Sequence, residues 1–145
     1  MNPPLFLDTA NKLLDSAIHE GDLRSAVSRA YYAVYHSIRI EILKNIKLAL
    51  IQQSGLGSKK LISHERLCLV LKGCITTRVF GFELNILREA RQKADYELES
   101  VLSRDKAREH VENAQKLQSG ISAFGGVTKL VEALRVHLEQ IHPSA

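Results

Sequence analysis

The stretch RSAVSRAYYAVYHSIRI, residues 24–40, decides the fold. No proline or glycine interrupts it, and its apolar residues recur every three or four positions, so it predicts one α-helix. At about 100° per residue, one side of this helix is apolar and is expected to face the core. That side carries Val27, Tyr31, Val34, Ile38 and Ile42.

The opposite side of the same helix carries a polar stripe. Arg29 and His36 lie about 20° apart on it, and Tyr32 lies between them. Further along the chain the stripe continues as Ile40 and Leu43. Because a face that meets only water does not usually end in aliphatic residues, we expect a second contact surface here. Either another helix or a second copy of the protein covers it.

A second copy would give this stripe a chemical meaning. Around a twofold axis, two pairs of Arg29 and His36 would meet in one cleft. Arginine stays charged and binds phosphate through paired hydrogen bonds, while histidine exchanges a proton near neutral pH. RNA supplies its own nucleophile, the 2′-hydroxyl, so such a cleft needs no metal ion. The alternative is a chance pairing of two residues with no chemical role.

The composition favours one helical domain. The chain has 145 residues, enough for a single core, and only 6% of them are aromatic, which disfavours strands. The net charge of +4 permits an anionic partner such as RNA without requiring one. Cys68 and Cys74 lack zinc-ligand spacing, so we expect reduced cysteines, no metal and no cofactor. The N-terminal stretch has neither a signal-peptide pattern nor a long apolar run, which predicts a cytoplasmic protein without a membrane span.

Cap and break signals divide the chain into helices. The sequence predicts an all-α antiparallel bundle of four to five helices plus a C-terminal helix, in one domain over residues 1–145. Asp22 and Ser63 are the expected N-caps, QSGLGSKK a flexible basic loop, and VFG at 79–81 a turn. The expected helices cover residues 4–19, 22 to about 54 with a bend near Lys44 and Asn45, 64–78, 82–98, 103 to about 124, and 127–141.

Two segments resemble a known family. SRAYYAVYH at 28–36 and RQKADYE at 91–97 are similar, in this order, to motifs of small stand-alone prokaryotic members of the HEPN family (higher eukaryotes and prokaryotes nucleotide-binding). The resemblance covers about residues 5–122, and the helix at 127–141 lies outside it. It implies a helical homodimer whose active members are metal-independent endoribonucleases. Their Arg-x(4–6)-His motif lies at the dimer interface, and here Arg29 and His36 match it.

The resemblance also implies roles and partners. Arg29 would bind and stabilise the scissile phosphate, and His36 would act as general acid or base. Arg88, Arg91 and Tyr32 are expected to extend the surface that binds RNA or nucleotide phosphates. Asp95 would support Arg91 as an ion pair four residues away. Many family members are toxins paired with a small nucleotidyltransferase antitoxin, so the resemblance implies such a partner.

Two alternatives to catalysis stay open. Ala30 stands where the family's nuclease motif usually has a polar residue. This favours a non-catalytic module that binds a nucleotide or nucleic acid and docks a nucleotidyltransferase. A third hypothesis is a purely structural helical dimer. Tyr96 is expected to be a packing residue with its hydroxyl hydrogen-bonded, and no chemical role is assigned to the other histidines, namely His19, His64, His110, His137 and His142.

Overall fold

The all-α class is confirmed. The computed structural model describes residues 3–143, and only the backbone of Pro3 and Pro4. Over that range the chain forms seven α-helices and no β-strand, apart from one isolated bridge between Gly57 and Ile62. The helices are α1 (Pro3–Asp15), α2 (Glu20–Asn45), α3 (Leu48–Gln53), α4 (His64–Gly73), α5 (Arg78–Tyr96), α6 (Arg104–Phe124) and α7 (Val127–Ile141).

Helix α2 is the central element of the fold. Helices α1, α5, α6 and α7 all pack against it, and α4 packs against α5. Its other sides carry alanines that are fully buried, and these small side chains let the neighbouring helices approach closely: Ala26, Ala30 and Ala33. The predicted core side is confirmed, with every side chain at most 2% exposed: Val27, Tyr31, Val34, Ile38 and Ile42.

A buried arginine joins the start of α2 to the end of α5. Arg24 is 8% exposed, and its Nη1 donates to the carbonyl oxygens of Lys93 at 3.2 Å and Ala94 at 3.1 Å. The same nitrogen reaches the Glu97 carbonyl at 3.2 Å, and Nη2 binds the Glu20 carboxylate at 3.1 Å. The last carbonyls of a helix have no partner within it, so Arg24 caps α5 and fixes its position on α2.

The first helix boundary differs from the prediction. Helix α1 ends at Asp15, four residues before the expected end, and His19 is the N-cap of α2. Asp22 was expected as the cap but lies inside the first turn. Its Oδ2 accepts the backbone N–H groups of Ile18 at 3.3 Å and His19 at 3.4 Å. The carboxylate therefore stabilises the residues that lead into α2.

Helix α2 ends at Asn45, where a bend was expected, and the chain breaks there instead of bending. Ile46 is extended with φ −111° and ψ 130° before the separate helix α3. The expected helix of about 30 residues would run about 45 Å and leave its end without a core to contact. The turn at Ile46 lets this residue, 4% exposed, and Leu50, 3% exposed, both reach the core.

Residues 54–63 form an ordered turn, not the expected flexible loop. Ser58 N donates to Leu61 O at 2.8 Å, and Ser63 N donates to Leu56 O at 2.7 Å. Leu56 and Ile62 are fully buried, so both ends of the turn are anchored in the core. The glycines and lysines of this stretch indicated a turn, but nothing local indicated its two buried anchors.

The turn predicted at residues 79–81 is wrong, because these residues belong to the first turns of α5. Gly81 is buried where α5 crosses α4, and a Cβ added to it would lie 2.6 Å from the backbone nitrogen of Lys72. The glycine thus serves the close approach of two helices. Helix α4 correspondingly ends at Gly73, earlier than the expected residue 78.

Other start and stop signals are confirmed. Ser63 Oγ accepts the N–H of Arg66 at 3.1 Å, as expected of an N-cap. Gly125 and Gly126, with φ of 127° and 96°, end α6 in a conformation that favours glycine. Helix α7 has the predicted bounds, and its apolar stripe is buried at Leu130, Val131, Leu134 and Leu138.

We predict opposite effects for two helical glycine substitutions. Gly81→Ala should lower the free energy of unfolding by about 1–3 kcal/mol, because the new methyl group meets the backbone of α4. Gly120→Ala should raise it by about 0.5–1 kcal/mol, because alanine favours the helix and the nearest atom, Phe80 Cε1, lies 3.5 Å away. Urea unfolding measures both, and equal effects would contradict the packing of α4 on α5.

Candidate nucleic-acid site

Five rings of α2 and α4 meet in what we call the ring cluster: Tyr31, Tyr32, Tyr35, His36 and His64. The rings of Tyr35 and His64 stack with centroids 4.0 Å apart. Those of Tyr32 and His36 stack at 5.3 Å with 18° between their planes. Four of the rings lie as adjacent pairs on two successive turns of α2, and the first residue of α4 adds the fifth.

The inner part of the cluster is fully hydrogen-bonded. Tyr31 Oη and His64 Nδ1 lie 2.6 Å apart, and the Tyr35 hydroxyl donates to the carbonyl of Ile62. Burial raises the pKa of Tyr31, so its hydroxyl keeps its proton. Burial, and then the charge of Arg91, lowers the pKa of His64 to about 4. His64 is therefore neutral at pH 7 and belongs to the framework of the site.

Arg91 connects α5 to the outer part of the cluster. It donates to the Tyr32 hydroxyl, and its Cζ lies 5.0 Å from the centroid of the Tyr32 ring. Its Nε lies 3.0 Å from Asp95 Oδ2, which forms the expected ion pair, and Ser28 Oγ donates to the same oxygen at 3.3 Å. The Arg91 side chain is 13% exposed. Asp95 thus holds Arg91 against Tyr32.

Arg88 also lies partly inside the molecule. Its Nε donates to Asn85 Oδ1 at 3.1 Å. Burial raises the pKa of the Cys68 thiol to about 11, and the nearby Arg88 guanidinium opposes this shift. Both predicted phosphate-binding arginines of α5 therefore have partners within the chain. Their role toward RNA stays a prediction, as does that of Tyr32.

His36 differs from the other rings because it has a buried nitrogen without a partner within residues 3–143. Its Nδ1 is buried and makes no hydrogen bond to any residue that the structure describes. The imidazole lies between Tyr32 and Phe6 of α1, whose ring centroid is 5.6 Å away. Burial, and then the charge of Arg39, lowers the pKa of His36 below 6.5. Helix α1 thus covers this part of the expected second contact surface, and the imidazole is neutral at pH 7.

Arg29 is the exposed member of the predicted pair. It lies three residues before Tyr32 and seven before His36, about 10 Å from the latter along the helix axis at 1.5 Å per residue. Within residues 3–143 its guanidinium makes no hydrogen bond or ion pair. The candidate site is therefore one line of α2 with Arg29 in solvent, Tyr32 held by Arg91, and His36 half-buried.

Three residues have positions that the sequence did not predict. Tyr96 was expected to pack, but it is 71% exposed, with the Arg91 Cζ 5.5 Å from its ring centroid. His64 received no role, yet it completes the ring cluster. Arg39 was not considered, although it follows His36 by one turn and acts on its pKa. The helical period alone would have identified Arg39, whereas the place of His64 depends on how α4 packs.

Metal ligands, membrane-spanning helices and similarity to known proteins give no further assignment for the site. Among residues 3–143, no three His, Cys, Asp or Glu side chains are grouped as metal ligands. None of the helices described is both long and apolar enough to cross a membrane. No protein-family model, curated protein or solved structure matches this chain. The similarity to HEPN proteins therefore rests on the two sequence segments at 28–36 and 91–97.

The neutral His64 predicts a loss of stability in acid. Its pKa is about 4 in the folded chain and 6.5 in the unfolded one, so the unfolded chain binds more protons between these values. Stability should be complete above pH 6.5 and should fall as the pH drops toward 4. Between pH 7 and 4.5, the free energy of unfolding of the wild type should fall by roughly 1–2 kcal/mol more than that of His64→Gln. This figure is reduced for partial solvent screening.

Urea unfolding of both proteins across this pH range makes the comparison. The other histidines are the same in both proteins, so the difference between the curves isolates His64. Parallel curves would contradict a neutral, buried His64.

Proposed function

We propose that this protein is a metal-independent endoribonuclease of the HEPN type that acts as a homodimer. Arg29 and His36 are its catalytic residues. One observation carries the proposal: an exposed guanidinium, without a partner among residues 3–143, and a half-buried imidazole lie on one line of α2. The similarity of residues 28–36 and 91–97 to HEPN motifs supports the same assignment.

The lowered pKa of His36 decides its role. A neutral imidazole accepts a proton, so His36 acts as the general base toward the 2′-hydroxyl of RNA. The 2′-oxygen attacks the adjacent phosphorus, and the bond from phosphorus to the 5′-oxygen breaks. The products are a 2′,3′-cyclic phosphate and a 5′-hydroxyl. Arg29 stabilises the extra negative charge that develops on the phosphate oxygens during this step.

The leaving 5′-oxygen takes up a proton from water as its bond to phosphorus breaks, because a neutral His36 in either copy has none to donate. A second copy instead contributes a second Arg29, so that two guanidiniums face the scissile phosphate in one cleft. Arg29 is exposed on α2, so it is free to lie between two copies.

A second candidate function is a binding module without catalysis. Ala30 is fully buried among the core residues of α2, so the position after Arg29 adds no polar group to the site. Such a module would hold a nucleotide or RNA phosphate on Arg29 and dock a nucleotidyltransferase. It would bind RNA and leave it intact.

We predict that the purified protein cleaves RNA in the presence of EDTA. His36→Ala and Arg29→Ala should each lower the cleavage rate by about 10²–10⁴-fold, because each removes one catalytic group. Arg108→Ala removes an exposed arginine of α6 and should leave the rate unchanged. Melting temperatures show whether the variants stay folded. Cleavage that survives in folded His36→Ala would remove His36 from the mechanism, and RNA binding without any cleavage would favour the module.

The pH dependence of cleavage provides a separate prediction. Because the pKa of His36 is lowered, the acidic limb of kcat/KM should lie below pH 6.5, where the imidazole becomes protonated. Arg39→Gln removes a positive charge that lowers this pKa, so the limb should move to higher pH. A pH–rate profile of both proteins measures the shift. A limb at or above pH 6.5 in the wild type would contradict a general base with this environment.

A further inference from the structure

A rigid turn presents two lysines beside the ring cluster. The cationic turn, residues 57–62, is closed by the bridge between Gly57 and Ile62 and by the hydrogen bond from Ser58 N to Leu61 O at 2.8 Å. Lys59 and Lys60 are the two central residues of this turn, and both are exposed. Gly57 has φ 159°, and a Cβ there would lie 1.9 Å from Leu61 O, so the turn is tight.

Two contacts hold the cationic turn against α2 at the His36 end. Arg39 Nη2 donates to the carbonyl of Lys60 at 2.9 Å, and the Tyr35 hydroxyl donates to the carbonyl of Ile62. Tyr35 and Arg39 flank His36 on the helix, one residue before it and three after it. The turn therefore lies next to the imidazole, about one helical turn beyond it.

The cationic turn keeps its positive charge free. Within the part of the chain that the structure describes, neither Lys59 nor Lys60 forms an ion pair. Arg39, whose Nη2 donates to the carbonyl of Lys60, adds a third cationic side chain at this end of α2.

We propose that the cationic turn is a second phosphate-binding site, which holds the RNA strand beyond the bond that is cut. This inference rests on the proposed function, because it assumes that the scissile phosphate lies between Arg29 and His36. Phosphate groups follow one another along a single strand, and lysines bind them as point charges without reading the base. Because the turn is already ordered, binding the strand costs little ordering of the protein.

The occupant is a nucleic-acid strand because cationic groups lie on both sides of His36. Arg29 precedes His36 by seven residues on α2, and Arg39, which holds the cationic turn, follows it by three. Successive phosphates of one strand can contact both groups, whereas a single phosphate needs only one of them. The turn should therefore contribute to the binding of a long strand and not to the cleavage of a dinucleotide, which ends before it.

The test compares three double variants of the full chain. The probe is a labelled single strand of about 12 nucleotides with 2′-O-methyl groups, which block the nucleophile and keep the strand intact. Fluorescence anisotropy at several salt concentrations gives its affinity. Lys59→Gln with Lys60→Gln should weaken binding about tenfold and lower the slope of log K against log salt by about 1.4, for two lost phosphate contacts. Lys59→Arg with Lys60→Arg should bind like the wild type.

A matched control removes the same charge elsewhere. Lys116→Gln with Lys129→Gln changes two exposed lysines of α6 and α7, and binding should stay near the wild-type value. Equal affinities and slopes in the two glutamine variants would overturn the inference, because charge alone would then explain the effect. A lower rate of dinucleotide cleavage in Lys59→Gln with Lys60→Gln would overturn it as well.

These outcomes are separate from those of the proposed function. Suppose that the wild type cleaves RNA through His36, and that Lys59→Gln with Lys60→Gln binds the long strand as tightly as the wild type does. Only the inference about the turn then fails. If the wild type binds no strand at all, both fail together.

Discussion

The rest of the structure depends on how α2 satisfies its polar groups while four helices pack against it. A buried polar group without a hydrogen bond is costly, so most of those on α2 have a partner inside the chain. Arg24 donates to carbonyl oxygens at the end of α5. The Tyr31 hydroxyl is hydrogen-bonded to His64, and the Tyr32 hydroxyl accepts a hydrogen bond from Arg91. These contacts fix α4 and α5 on α2, so the polar groups of the central helix position its neighbours.

The candidate site consists of the groups that these contacts leave over. Arg29 is exposed and His36 Nδ1 has no partner among the described residues, although the neighbouring Tyr32 hydroxyl accepts a hydrogen bond from Arg91. A framework that holds Tyr32 and Arg39 in place also fixes the environment of His36. Burial and the Arg39 charge keep the imidazole neutral, which is the state that a base requires. The same framework supports the cationic turn next to it.

Local signals in the sequence predicted the features that depend on local chemistry. The helical period placed the core side of α2 and the line from Arg29 to His36, and serine caps and paired glycines marked the helix ends at Ser63 and Gly125. Gly81 was misread because a glycine needed for close helix packing looks the same in sequence as one needed for a turn. The break at Ile46 depends on which side chains reach the core, and that is a property of the whole fold.

The candidate site was predictable in part for the same reason. Residues on α2 could be related to one another through its period, whereas His64 and Arg91 reach the ring cluster from other helices. The spacing of Arg91 and Asp95 predicted their ion pair. It did not predict that Asp95 also accepts a hydrogen bond from Ser28, or that Arg91 lies against the Tyr32 ring. Contacts between distant segments decide which arginine stays free, and they leave Arg29 in solvent.

The most direct test of this account is an NMR titration of the histidine rings in the folded protein. It reads the protonation of His36 and His64 separately and needs no substrate. We expect His64 to titrate near pH 4 and His36 below its ordinary pKa of 6.5, because both are buried beside cationic groups. If both rings instead titrate at or above 6.5, the ring cluster is open to water and the central claim is contradicted.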